Sequence, residues 1–319
     1  LMRRALRAAP GLSAAWVNLA GLEKSDENPA DADAAVRLGL ALAPDLAAGW
    51  FLTARLRAGA GDYDDAWTAQ RRAATLEPSN PDYRRALAAL EQATAKAELL
   101  TGGQAKYRFV AGTLDRVAEY YDTAITTHGP TPAGVSSTEN AHEESLRRIL
   151  RLLDRENGQG VRLHDVGCGY GRLFDLVKDH PALRGGSYWG CDISPAMVAS
   201  ARERVRDRRA SFELAALPQK PGDYTIVNGV YNIKFDRPDD EWREYVQGCL
   251  LRLAATTRRG LAFSMLSCHA HRRLDGLYYP DPADFLDFTL RKISSDAALI
   301  HADDGESWVI CAYAPFSSL

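Results

Sequence analysis

With 319 residues the chain is long enough for two domains, and its 46% hydrophobic and 25% charged residues are those of an ordinary soluble globular protein. A net charge of -3 provides no field to gather nucleic acid or an anionic membrane, so basic pairs such as Arg147-Arg148 and Arg258-Arg259 read as solvated faces. Five scattered cysteines without CxxC spacing exclude a cysteine-rich zinc module; with no apolar run of membrane-spanning length and no leader pattern, they point to the reducing cytoplasm.

In chain order, repetition comes first. Pro10, Pro44 and Pro78 recur at an interval of 34 residues, and Trp16 and Trp50 each stand six residues after a proline. Ala32 and Ala66 share the interval, as do the small residues Gly39 and Ala73, suited to close helix approach. The segment Gly59-Ala-Gly61-Asp-Tyr-Asp-Asp-Ala66 reads as a turn between paired helices. This register resembles the tetratricopeptide repeat. That resemblance implies an all-α segment over 1–100 that recruits a protein partner or a second copy of the chain. It also implies a segment that starts inside a longer array and leans on the domain behind it.

Residues 101–155 read as a helical connector or lid. Gly129-Pro-Thr-Pro132 ends its first helix, because proline lacks an amide donor and disfavours helix at its predecessor. Ser136 with Glu139, or Asn140 with Glu143, offers a capping box for the second helix.

Over 156–319 strands alternate with helices, which predicts a mostly parallel sheet covered on both faces. Strands are expected near 161–166, 187–192, 211–215, 223–229 and 260–267, and helices near 171–179, 195–208, 239–257 and 282–292. The end differs: Asp303-Asp304-Gly305 between two apolar runs predicts a terminal hairpin with an antiparallel last strand.

The strand "VRLHDV" runs into "GCGYGRL" and then a helix. Gly167, Gly169 and Gly171 let the backbone turn sharply and approach a ligand, and the helix start beyond suits a carboxylate. A dinucleotide GxGxxG would need glycine at 172, where Arg172 stands. Asp192 closes the next strand, 25 residues after Gly167, where an acid can accept two ribose hydroxyls or cap the helix of "DISPAMVASA".

Together "DVGCGYG" and "CDISPAMV" resemble the class I S-adenosylmethionine-dependent methyltransferases, with a Rossmann-like sheet. The resemblance implies S-adenosyl-L-methionine as cofactor, held by Asp165 at its ammonium, by the loop Gly167, Cys168, Gly169 and Gly171, by Asp192 and Ile193 at the ribose, and by Asn228 and Gly229. One departure stands out: Ala215 and Ala216 occupy the place where many members carry an acid for the adenine amino group. A narrower likeness, in "YYDTAITTHGPTPAGV", "NGVYNIKFD", "LAFSMLS" and "LYYPDP", is to bacterial methyltransferases of surface-glycan and secondary-metabolite pathways. It implies a Tyr120-Tyr121 helix over the cofactor and a small-molecule or glycan acceptor beside Tyr278 and Tyr279.

For catalysis Asn232 is expected to orient the acceptor, with His269, His271 or Tyr278 taking its proton. His269 and His271 lack a third ligand placed nearby by the sequence, so no metal is expected. His164 and His301 read as satisfied core or edge residues. The leading expectation is O-methylation of a sugar or metabolite hydroxyl; a protein methyltransferase and a catalytically idle repeat scaffold are the alternatives.

Overall fold

The computed structural model describes residues 6, 9, 11–25, 28–60, 62–103 and 105–316, so Leu1, Pro10 and Gly61 of the repeat register lie outside the described residues. The chain forms two compact units, 1–111 and 112–319.

The first unit is all helical: α1 (Ser13–Ser25), α2 (Pro29–Leu42), α3 (Ala47–Gly59), α4 (Tyr63–Leu76) and α5 (Pro81–Leu100). Two starts follow one rule, an asparagine cap followed by proline in the first turn. Asn28 accepts the Asp31 amide at 3.4 Å and Asn80 that of Asp82 at 3.0 Å. Small residues set the spacing between helices. Ala32, Ala66 and Ala73 are fully buried, and a Cβ at Gly39 would lie 2.9 Å from Val17 Cγ2 and 3.0 Å from the Ser13 carbonyl. Trp50 packs half-buried on Ala47, Ala73 and Tyr83 while its indole N–H donates to the Pro44 carbonyl at 2.7 Å. Gly39 and Ala73, 34 residues apart, are both buried small residues of their helices.

The second unit starts with α6 (Ala111–His128), ended by Gly129 at φ +66° whose amide bonds the Ile125 carbonyl at 2.8 Å. A 3-10 turn over Pro132–Val135 leads to α7 (Glu139–Ile149). The cap of α7 is Thr138, which accepts the Ala141 amide, and neither Ser136 nor Asn140 takes that role. Ser136 instead closes the 3-10 turn in the left-handed region, φ +57°.

Seven strands follow: β1 (Arg162–Val166), β2 (Ser187–Asp192), β3 (Ala210–Leu214), β4 (Gly222–Asn228), β5 (Thr257–Leu266), β6 (Asp296–His301) and β7 (Ser307–Tyr313), in the order β3-β2-β1-β4-β5-β7-β6. The ladders among β1 to β5 are parallel, and β7 lies antiparallel between β5 and β6. Helices α8 (Arg172–Val177), α9 (Pro195–Arg204), α10 (Asp239–Ala255) and α11 (Pro282–Lys292) connect them. This is a mostly parallel, Rossmann-like sheet, and the hairpin turns at Gly305, φ +74°.

Boundaries shift where side chains intervene. Helix α9 stops at Arg204, four residues early, because Arg204 turns back to bond the Tyr170 and Gly171 carbonyls at 2.9 and 2.5 Å. Strand β5 starts at Thr257, directly behind α10, where the Thr257 hydroxyl bonds the Leu253 carbonyl at 2.7 Å and shares a 2.6 Å bond with Thr225. His164 is buried as expected, but its Nδ1 has no partner, so it is not a satisfied core residue. His301 lies exposed at the sheet edge.

Gly39→Ala should destabilise the helical unit by about 1–3 kcal/mol, because backbone as well as side chain would have to move. Gly21→Ala, with nothing within 4 Å of the added carbon, should be neutral or stabilising by about 0.4–1 kcal/mol. Urea denaturation of both variants checks the pair; equal effects would mean Gly39 does not set the helix spacing.

Candidate cofactor and acceptor site

The strand order reverses between β1 and β4, and the crevice at such a switch point is where open α/β sheets bind ligands. The loop from β1 to α8 crosses it. Gly167, Gly169 and Gly171 have φ of +70°, +51° and +79°, which side-chain-bearing residues rarely adopt. A Cβ on Gly167 would fall inside Val230, and one on Gly171 would meet Phe212 at 3.1 Å. The Gly167 and Cys168 amides both donate to the Cys191 carbonyl, at 2.8 and 2.9 Å, tying the loop to the end of β2. The helix behind it, α8, is only six residues long, against nine expected, so its dipole is short and the loop amides carry more of any anion contact.

Asp192 closes β2. One carboxylate oxygen accepts the Gly169 amide at 3.0 Å and the other the Ser194 amide at 2.9 Å. The cap of α9 is the neighbouring Ser194, whose hydroxyl accepts the Met197 amide at 3.0 Å. Burial pushes Asp192 up to about 6, although the amides of Ser194, Gly169 and Ile193 favour its charged form. Asp165, in β1, is more deeply buried and receives the Tyr188 hydroxyl; burial lifts it to about 7, with the Asp192 charge adding to the shift.

Apart from Tyr121, residues without a role in the sequence-based expectations build the walls. Asp122 of α6 accepts the Ser194 hydroxyl at 2.5 Å and the Ala196 amide at 3.0 Å, fastening α6 to the start of α9. Tyr121 and Ile125 of the same helix pack with Tyr170 and Met197. Val135 lies 3.2 Å from where a Gly169 Cβ would stand, so the Gly-Pro turn covers the glycine loop. On α7, His142 stacks on Tyr170 with ring centroids 6.1 Å apart and leaves its buried Nε2 without a partner. One turn on, Ser145 donates to Asn228 Oδ1 at 2.9 Å, and Ser264 donates to the same oxygen at 2.7 Å. The Ser264 hydroxyl also accepts the Gly229 amide at 2.9 Å. Only Asp122 had a visible signal, an acid directly after the tyrosine pair; the two serines had none.

Below β3, the Ala215 amide donates to the Asp192 carbonyl at 3.1 Å, and Leu217 is buried beside the half-buried Ala215 and Ala216.

The outer face of α6 borders a cavity of about 520 Å³, lined by Arg116, Glu119, Tyr120, Thr123, His128 and Phe235, among others. Phe235 holds φ +52°, a strained setting for an aromatic residue, with the Arg116 guanidinium 4.2 Å above its ring. The Tyr120 hydroxyl shares a 2.6 Å bond with Ser136 across the rim.

The four side chains expected to act on the acceptor do not touch one another through hydrogen bonds or ring contacts. Asn232 Oδ1 accepts the Leu266 amide at 3.2 Å, lashing the β4 loop to β5, while its amide nitrogen faces Gly229. Tyr278 is 2% exposed, and burial raises its phenol, which suits a core aromatic better than a base open to an acceptor. His271 is exposed and engaged with Glu306 at 3.0 Å. His269 is exposed, its ring 6.1 Å from that of His301. The Tyr279 hydroxyl accepts the Leu274 amide at 3.0 Å.

Asp165 and Asp192 titrate in the folded protein above the ordinary carboxylate value of 3.8. Folding therefore favours their protonated forms, and that contribution is present below about pH 4 and lost as pH rises through about 6 and 7. Asp165→Asn, which carries no titrating proton, should gain Tm relative to the unmodified protein between pH 5 and pH 8. Equal Tm differences at the two pH values would show that Asp165 is ionised at both.

The methyltransferase-domain family model matches residues 164–252, from β1 into α10. A Mycobacterium tuberculosis protein named "Putative methyltransferase Rv1506c" is 36% identical over 142 residues, 44% of this chain and 84% of that protein. The mouse (Mus musculus) 18S rRNA (guanine-N(7))-methyltransferase is 37% identical over 82 residues, 24% of this chain and 27% of that enzyme, so the chain spans about a quarter of its length. Among solved structures, magnesium protoporphyrin IX methyltransferase from Synechocystis PCC 6803, crystallised with S-adenosylmethionine, superposes with a TM-score of 0.47 at 18% identity, covering 62% of this chain and 95% of that one. With a match spanning most of the mycobacterial protein, and with the family model resting on the sheet and glycine loop described above, the chain belongs to the methyltransferase-domain family.

Proposed function

We propose that this methyltransferase uses S-adenosylmethionine to methylate a hydroxyl of a sugar or similarly polar small metabolite. The observation that carries the acceptor class is the 520 Å³ cavity beside α6, in the size range of small-molecule sites. Its lining combines hydroxyls, a carboxylate, an imidazole and a strained aromatic, the mixture that hydrogen-bonds a polyol while stacking on its ring.

The cofactor fits the loop. The glycines hold the loop in left-handed backbone packed tightly on Val230 and Phe212, and Asp192 keeps lone pairs for ribose hydroxyls beyond its two amide bonds. Asp165 offers a carboxylate for the methionine ammonium, whose positive charge would favour the ionised form that burial opposes. Bound there, the sulfonium supplies an electrophilic methyl group, and what is left to the protein is alignment and removal of the acceptor proton. The groove holds two side chains able to take that proton, Glu119 and His128. A second reading, a protein substrate recruited by the helical unit, is favoured by the exposed Leu38 and Leu42, one turn apart on α2.

Asp192→Ala should weaken S-adenosylmethionine binding by about 1.5–3 kcal/mol, the range for hydrogen bonds to a charged group, read by calorimetry. Phe235→Ala should raise the acceptor KM while leaving cofactor affinity unchanged. Incubation with S-adenosylmethionine and a panel of sugars, phenols and unfolded proteins, read by mass spectrometry, tests the class. Methylation confined to proteins would overturn the small-molecule reading, and binding without any turnover would make the domain an idle one.

A further inference from the structure

We propose that Cys268, His269 and Asp281 form a binding site for a divalent cation of the zinc class, outside the cofactor loop and the acceptor cavity. One ligand atom from each residue lies within 4.8 Å of the other two. Ligand atoms of a tetrahedral zinc ion stand roughly 3.3–3.8 Å apart, so about 1 Å of side-chain adjustment closes the set.

The backbone already brings the three together. Cys268 and His269 follow the end of β5, and the Cys268 amide donates to the Pro280 carbonyl at 3.2 Å, which sets residue 268 beside residue 281. The His269 amide is held by the Ser267 hydroxyl at 3.1 Å, fixing the turn that presents the ring. Asp281 caps α11 by accepting the Ala283 amide at 2.8 Å through one oxygen, which orients the carboxylate and leaves the other oxygen available.

The chemistry selects the ion. A thiolate, an imidazole and a carboxylate are a borderline-soft set that suits zinc and disfavours magnesium and calcium, which take oxygen alone. The bland alternative is a polar loop whose groups meet by chance. Against it, the His269 ring has no hydrogen-bond partner among the described residues, and a second imidazole, His301, stands beside it. Cys268 is also the one cysteine of the five that is not buried. Three protein ligands leave a fourth position open to solvent, the count found in exchangeable zinc sites. Binding would release the Cys268 thiol proton to solvent and would clip the loop carrying Leu277 to Tyr279 onto the start of α11.

The full chain, stripped with chelator and then titrated with cobalt(II), tests the site. A saturable thiolate-to-cobalt charge-transfer absorption is expected, unaffected by excess magnesium and abolished in Cys268→Ser. Affinity should fall at least about tenfold in His269→Ala and in Asp281→Asn, the latter keeping a residue that caps α11 well. Unchanged far-UV circular dichroism in the variants separates ligand loss from misfolding. Absence of a saturable band, or a band that survives in Cys268→Ser, overturns the proposal.

Discussion

The hydrogen bond from the Gly169 amide to Asp192 is the constraint on which the site depends. It crosses from the loop behind β1 to the end of β2 and holds the glycine turn open in a conformation that only glycine adopts at low cost. Behind it, Arg204 reaches back from the end of α9 to the Tyr170 and Gly171 carbonyls and also pairs with Asp175 of α8 at 2.7 Å. The loop is thus clamped from both sides, and the turn is part of the sheet's rigid framework rather than a free loop draped over it.

That rigidity places two carboxylates in a poor dielectric. Burial raises both well above ordinary carboxylates, with the Asp192 charge adding to the rise at Asp165 and the Asp122 charge to that at Asp192. In a protein selected for stability alone an apolar pair would serve as well, since buried charge is costly. Their presence beside a glycine-rich loop makes sense if a cation and two hydroxyls complete the arrangement. The proposed cofactor carries both.

The run of strands along the chain, the terminal hairpin and the glycine turn were legible in the sequence because each rests on a local rule: apolar runs, Asp-Asp-Gly305 and the spacing of three glycines. What stayed illegible depends on contacts distant in sequence. Asp122 bonds Ser194 and Ala196 more than seventy positions away, and Ser145 bonds Asn228 across eighty-three. Neither leaves a trace in periodicity. Element ends shifted for a related reason, since Arg204 bonds the Tyr170 carbonyl and Thr257 shares a bond with Thr225, both on other segments. The pair His269 and His271 shows how little adjacency says about surroundings. The chain turns between them, giving His271 to Glu306 and setting His269 next to Cys268 and Asp281.

Helix α6 ties the two halves of the proposed reaction together. Its inner face, Tyr121, Asp122 and Ile125, grips the glycine loop's neighbours and the start of α9. Its outer face, Arg116, Tyr120 and Thr123, lines the cavity. Residues three and four apart share a helix face, so a single rigid rotation of α6 must alter both surfaces at once. A ligand that displaced α6 at either surface would therefore displace it at the other. By linkage, the coupling must run equally in both directions: whatever factor the cofactor adds to acceptor affinity, the acceptor adds to cofactor affinity. The Asp122 carboxylate is where the coupling would be cut, because among the described residues it joins α6 to α9 by hydrogen bonds without lining the cavity.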